Sequence, residues 1–100
     1  MKNGQAQANM DAARALVASL IQCGLRSVVL SPGSRNTPLT LAFIERSDIE
    51  AHSILDERSA GFFALGKARV SGLPVAVVCT SGSAGSHYLP SVIEAHAAGI

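Results

Sequence analysis

Aromatic side chains are scarce in this chain, with three Phe, one Tyr and no Trp among 100 residues. Charge is scarce as well: 15% of residues are charged, and the formal net charge is +1. These shortages leave no basic stripe and no stacking platform for bases, so nucleic acid is not an expected partner. No apolar run approaches the ~20 residues of a membrane-crossing helix, so no membrane span is expected. The opening MKNGQAQANM lacks the apolar segment of a secretory leader, which makes a cytoplasmic location the expectation. Cysteine is limited to Cys23, at the end of a helix pattern, and Cys79, in a strand pattern. Both read as small core residues. His52, His87 and His96 have no metal-ligand spacing with them or with one another, so no metal site is expected in this segment.

What the chain has in quantity is aliphatic: 48% of it is hydrophobic, mostly Ala, Val, Leu and Ile. That composition and length predict one small packed unit. Residues 10 to 24 carry Ala13, Leu16, Val17, Leu20 and Ile21 on one helical face, with Asn9 or Asp11 as N-cap and Gly24 as the stop. Ser27 to Leu30 reads as a short buried strand. A helix is expected from Asn36-Thr37-Pro38 to Arg46, proline being suited to a first turn. Ala51 to Leu55 is a weaker strand. Glu57 to Val70 is a helix pattern apolar nearly all round, broken by Gly72-Leu73-Pro74. Val75 to Cys79 is the clearest strand, and Ala84 to Ala98 reads as a helix that Pro90 should kink or interrupt.

Strands that alternate with helices and read as apolar runs predict an α/β fold, a parallel sheet with helices on both faces. Three strands make a thin sheet of this type, so residues 1–100 are expected to be the opening part of a larger domain.

Ligands of open parallel sheets bind outside the carboxyl ends of the strands. Three loops fall on that edge. In SPGSRN, Gly33 lets the backbone turn, and Ser34 and Arg35 supply a hydroxyl and a planar fork suited to a carboxylate or phosphate; a capped turn with a solvated arginine is the plainer alternative. In DER, Asp56 is the better helix cap by residue type, which leaves Glu57, at a partly buried position, for acid/base work or for pairing with Arg58. In TSGSAG, small residues let a ligand approach the backbone at the start of a helix, although neither a P-loop nor a dinucleotide fingerprint is present. His87 lies within a turn of it. A Ser34–His87–Asp56 triad can be drawn, but no nucleophile-elbow motif supports it.

SPGSRNTPLTLAF, DERSAGFFALGKA, PVAVVCTSGSAG and LPSVIEA, in that order, resemble the N-terminal part of thiamine-diphosphate enzymes. Within that superfamily they are most similar to the menaquinone-pathway synthases that join a succinyl unit to isochorismate. The likeness runs from about Ala13 to the end. It implies a partial pyrimidine-binding domain, with the diphosphate-binding domain absent from this segment. It implies that Glu57 is the glutamate that hydrogen-bonds the ring nitrogen of the cofactor's aminopyrimidine and so promotes loss of the thiazolium C2 proton. It implies that Ser34 and Arg35 hold isochorismate, and that Thr80, Ser81, Gly82 and Ser83 border the pyrimidine, with His87 where the family commonly has asparagine. The implied reaction decarboxylates 2-oxoglutarate and transfers the succinyl group, with thiamine diphosphate and Mg2+ as cofactors. Their diphosphate and metal ligands lie outside this segment, as no GDG-type motif occurs here, and a second subunit completes the site. A non-catalytic anion-binding module, or another thiamine-diphosphate decarboxylase or synthase, is the alternative.

Overall fold

The computed structural model describes residues 2–100. Helix α1 spans Lys2–Gln22 and strand β1 Ser27–Leu30; after a 3-10 turn at Ser34–Asn36, helix α2 runs Thr37–Ile44. Strand β2 is Glu50–Ser53, helix α3 Glu57–Ser71, strand β3 Val75–Val78 and helix α4 Leu89–Ala98, the last preceded by a 3-10 helix at Gly82–Tyr88. All strand pairs are parallel and the order is β2-β1-β3, with Ser27 paired to Glu50 on one side and to Val75 on the other.

The central strand explains the layering. SVVL is buried at every position, and alternate side chains point to opposite faces. Val28 and Leu30 face a core built from Ala13, Val17 and Ile21 of α1 with Ala42 and Phe43 of α2. Val29 faces Ala60 and Ala64 of α3 together with Tyr88. Helices therefore cover both faces, as the run of β-branched residues predicts. Two polar ties fasten the layers at the surface. Arg14 Nε lies 2.7 Å from Glu45 Oε1, joining α1 to the end of α2, and Lys67 Nζ lies 3.0 Å from Glu50 Oε2, joining α3 to β2.

Several sequence expectations need correction. Helix α1 begins well before residue 10, so Asn9 and Asp11 are not caps. They sit inside the helix and accept side-chain hydrogen bonds from Gln5 and Gln7, one turn earlier. Its buried stripe is the i, i+4 row Ala13, Val17 and Ile21, which leaves Leu16 half exposed. Cys23 is exposed rather than buried, lying beyond the last turn of α1 where no layer covers it. In α3 the apolar pattern misleads, because only Ala60, Gly61 and Ala64 are buried while Phe62 and Phe63 are exposed. Small residues on one side let the helix approach the sheet, and the larger ones face away. Pro90 does not kink a long helix. The segment from Gly82 winds as a 3-10 helix, and Pro90 stands in the first turn of a new α-helix, where its missing N–H costs nothing.

Candidate functional site

The order β2-β1-β3 means the chain leaves β1 toward one edge and later returns to its other side. The crevice above the carboxyl ends of β1 and β3 is therefore the topological switch point, the place where ligands of such sheets bind. Ser31, fully buried directly after β1, stitches the three strand ends together. Its N–H donates to Val78 O at 2.8 Å and its hydroxyl donates to Ile54 O at 2.7 Å.

The first loop is then shaped by Asn36. This buried side chain donates to Ser31 O at 3.0 Å, and its carbonyl oxygen accepts from Gly33 N–H at 3.0 Å. The sequence expectation of a simple helix start at Asn36 misses this role; an amide followed by Thr-Pro after a tight turn is the only trace of it. Gly33 has extended backbone, so it is required by proximity rather than by torsion. A Cβ built on it would lie 2.8 Å from Thr80 Cβ. The loops after β1 and β3 thus touch across the crevice. Ser34 and Arg35 project from the 3-10 turn, both exposed, and Arg35 forms no ion pair among the described residues.

The second loop enters α3. Asp56 is its N-cap, accepting from Ser59 N–H at 2.9 Å and from the Ser59 hydroxyl at 2.8 Å. These bonds hold the Asp56 carboxyl below the usual carboxylate range, with His87 and Arg58 adding smaller effects of the same sign. Asp56 is thus committed to capping and does not orient a histidine for a Ser34–His87–Asp56 triad. Glu57, the next residue, is half-buried and makes no hydrogen bond or ion pair among the described side chains.

The third loop turns at Gly82, whose φ of +81° lies in the left-handed region that favours glycine. Thr80 is half-buried against Gly33, whereas Ser81, Gly82, Ser83 and His87 are exposed. The expected α-helical N-terminus at Ala84 is replaced by the 3-10 helix, and α4 begins only at Leu89. Sequence reading did not single out Tyr88, which closes that 3-10 helix and is buried against Val29, Ala60 and Ala64. The signal available was a lone tyrosine in an otherwise aliphatic run.

Gly33 and Thr80 thus meet at close approach across the crevice, while the unpaired, half-buried Glu57 and the exposed Arg35 stand on loops at the same carboxyl edge of the sheet, and there is no cluster of three metal-ligating side chains among the described residues. A cavity of about 570 Å³ lies elsewhere, between α3, β3 and α4, and is lined mainly by apolar side chains such as Leu65, Leu73, Val77 and Val92. No described helix is long and apolar enough to cross a membrane.

Over 84 residues the chain is 56% identical to a 2-succinyl-5-enolpyruvyl-6-hydroxy-3-cyclohexene-1-carboxylate synthase of Sorangium cellulosum, an alignment covering 84% of this chain and 14% of the relative. The synthases of the same name from Haloarcula marismortui and Gloeothece citriformis are 58% and 62% identical, over 88% and 80% of this chain and 15% and 14% of their own lengths. The chain therefore spans a small fraction of the length of the curated relatives it matches. Residues 10–100 match the family described as thiamine pyrophosphate enzyme, N-terminal TPP binding domain, and the chain belongs to that family.

Proposed function

We propose that residues 1–100 are the pyrimidine-side part of a synthase that decarboxylates 2-oxoglutarate and adds the succinyl unit to isochorismate. The observation that carries the reading is Glu57, a half-buried carboxylate at the carboxyl edge of the sheet that has no partner among the described residues. A neighbouring capping aspartate takes over the structural duty at the helix start, so Glu57 is free for a ligand.

The residues fit the pyrimidine side of thiamine diphosphate. Gly33 and Thr80 meet so closely that a Cβ on Gly33 has no room, which fixes the two loops against each other, and Gly82 takes a left-handed turn two residues after Thr80 that lets a ligand approach the backbone. When bound, the cofactor would supply a nucleophilic ring carbon and a cationic ring that takes up the electron pair released on decarboxylation. Glu57 holds a proton at the aminopyrimidine ring nitrogen and so governs proton traffic there. Thr80, Ser81, Gly82 and Ser83 border that ring, and His87, exposed at the same edge, can donate one hydrogen bond. Ser34 and Arg35, projecting from the rigid turn that Asn36 organises, meet the carboxylates of isochorismate. Mg2+ and the diphosphate are held outside this segment, and a second subunit completes the site. The reading also puts the enzyme in the cytoplasm, where its two free cysteines would stay reduced.

The test is Glu57→Gln in the full-length chain, assayed for succinyl transfer with both substrates, thiamine diphosphate and Mg2+. Loss of roughly 10²–10⁴-fold in turnover is expected for removal of a proton-transfer group. Retained turnover, with the fold intact, would refute the assignment.

A further inference from the structure

Each polar group of the fully buried Ser31 goes to a different part of the crevice wall. Its N–H donates to Val78 O at 2.8 Å, at the end of β3. Its hydroxyl donates to Ile54 O at 2.7 Å, just past β2. Its carbonyl accepts from Asn36 Nδ2 at 3.0 Å, inside the first loop. Buried backbone groups need partners whatever the residue. What serine adds over alanine, at nearly the same volume, is the bond to Ile54.

That bond leads to Glu57. Ile54 is held at both backbone groups, since its N–H also donates to Leu30 O at 2.9 Å. Leu55, the next residue, is 81% exposed, and Asp56 is bound forward to Ser59 of α3 rather than back to the sheet. Among the described hydrogen bonds, the two at Ile54 are therefore the nearest to Glu57 that tie the start of α3 to the sheet.

The carbonyl leads to the first loop. Asn36 is buried, and its Oδ1 accepts from Gly33 N–H at 3.0 Å and from the Thr40 hydroxyl at 3.3 Å. Gly33 and Asn36 bracket Ser34 and Arg35, so this one carboxamide fixes both ends of their turn against β1 and α2. A turn held in place beforehand need not be ordered when its ligand arrives, which favours binding.

We propose that Ser31 is a positioning residue with two separable branches: its hydroxyl sets where α3 presents Glu57, and its carbonyl, through Asn36, sets the turn that presents Ser34 and Arg35. The roles of those three presented residues rest on the function proposed above, whereas the two tethers do not.

The experiment compares Ser31→Ala with Asn36→Ala in the full-length chain. Succinyl transfer is measured with each substrate varied in turn, and hydrogen exchange by mass spectrometry is measured without cofactor or substrate. Ser31→Ala cuts the hydroxyl branch alone. It should lower kcat roughly 10–100-fold, the scale of a small misplacement of a reacting group, leave the KM for isochorismate in place, and speed exchange over residues 51–60. Asn36→Ala should raise the KM for isochorismate about tenfold through lost preorganisation, with a much smaller change in kcat, and speed exchange over residues 32–40. Ser31→Thr, which keeps the hydroxyl, should recover most of the kcat lost in Ser31→Ala. A merely structural role would lower activity alike in both variants and move no KM, as Val17→Ala in the α1 layer should. Parallel changes of kcat and KM in the two variants, or unchanged exchange in both segments, overturn the proposal. If Glu57→Gln and Arg35→Ala impair transfer while Ser31→Ala and Asn36→Ala do not, the functional reading stands and the proposal fails. If both segments exchange faster as expected while Glu57→Gln retains turnover, the tethers stand and the reading of Glu57 fails.

Discussion

Replacing Gly33 with alanine puts a methyl group 2.8 Å from Thr80 Cβ, 3.0 Å from its Cγ2 and 3.2 Å from its Oγ1. Ordinary contact begins near 3.4 Å, so the two loops must part by roughly 0.6–1 Å to accept it. Neither can recoil freely. Gly33 is held from behind by its N–H to Asn36 and by the return bond from Asn36 N–H to Gly33 O, and Ser31 is tied to Val78 O. Overpacking of this kind costs about 1–3 kcal/mol, and the double tether puts Gly33→Ala at about 2–3 kcal/mol. With a urea dependence of ~1–2 kcal/mol/M for a unit of this size, the unfolding midpoint should fall by roughly 1–3 M. A double-mutant cycle locates the cause. Thr80→Gly removes the clashing Cβ and should recover most of the loss in the Gly33→Ala background. Thr80→Ala keeps that atom and should recover little. Equal rescue by both, or no loss in Gly33→Ala alone, would refute the argument that close approach is what demands glycine here.

Two other glycines of α3 should behave oppositely to each other. A Cβ on Gly61 would run into the Ser91 Oγ, whereas one on Gly66 meets nothing within 4 Å. Gly66→Ala is therefore expected to stabilise by about 0.5–1 kcal/mol through helix preference alone, and Gly61→Ala to destabilise despite the same gain; thermal melts of the pair decide it. Asp56→Ala removes the cap of α3 and should lower the melting temperature. Because the folded Asp56 pKa lies below its unfolded value of about 3.9, the stabilisation is complete above that pH and disappears as pH falls through the folded value. The difference in melting temperature between wild type and Asp56→Ala should therefore shrink on acidification from pH 5 to 2, and a constant difference would contradict the linkage.

The fold was legible because its signals are local and redundant. The aliphatic run Val28 to Leu30, set between serines, has few roles other than a doubly covered strand, and Gly24, with φ of +111°, marks the stop of α1. Asp56 was recognisable as a cap from residue type alone, and that identification freed Glu57. Other features were not legible because they depend on what a residue touches. Periodicity made α3 look apolar all round, although only its small side chains reach the sheet. The division of residues 82–98 into a 3-10 helix and an α-helix follows from tertiary packing that places Tyr88 under α3, and Pro90 gave no sign of which side of the break it occupied. Asn36 and Ser31, whose hydrogen bonds shape the crevice wall, look in the sequence like ordinary loop residues.

The pairing of β1 with strands on both sides also has a consequence for how the molecule assembles. Along the chain, Val75 lies about twice as far from Ser27 as Glu50 does. Closing the longer loop costs only about 0.6 kcal/mol more, but β3 also emerges after β1 and β2 during synthesis. The β1–β2 pair and the α1–α2 layer can form while the β3 side of the sheet is still open. The crevice exists only once β3 docks and Thr80 meets Gly33, so among these three strands the ligand-facing part is completed after the β1–β2 pair and is exposed when β3 opens. Amides of β3 should then exchange with solvent through smaller openings than those of β1, and a ligand seated between the two loops would slow exchange most at β3.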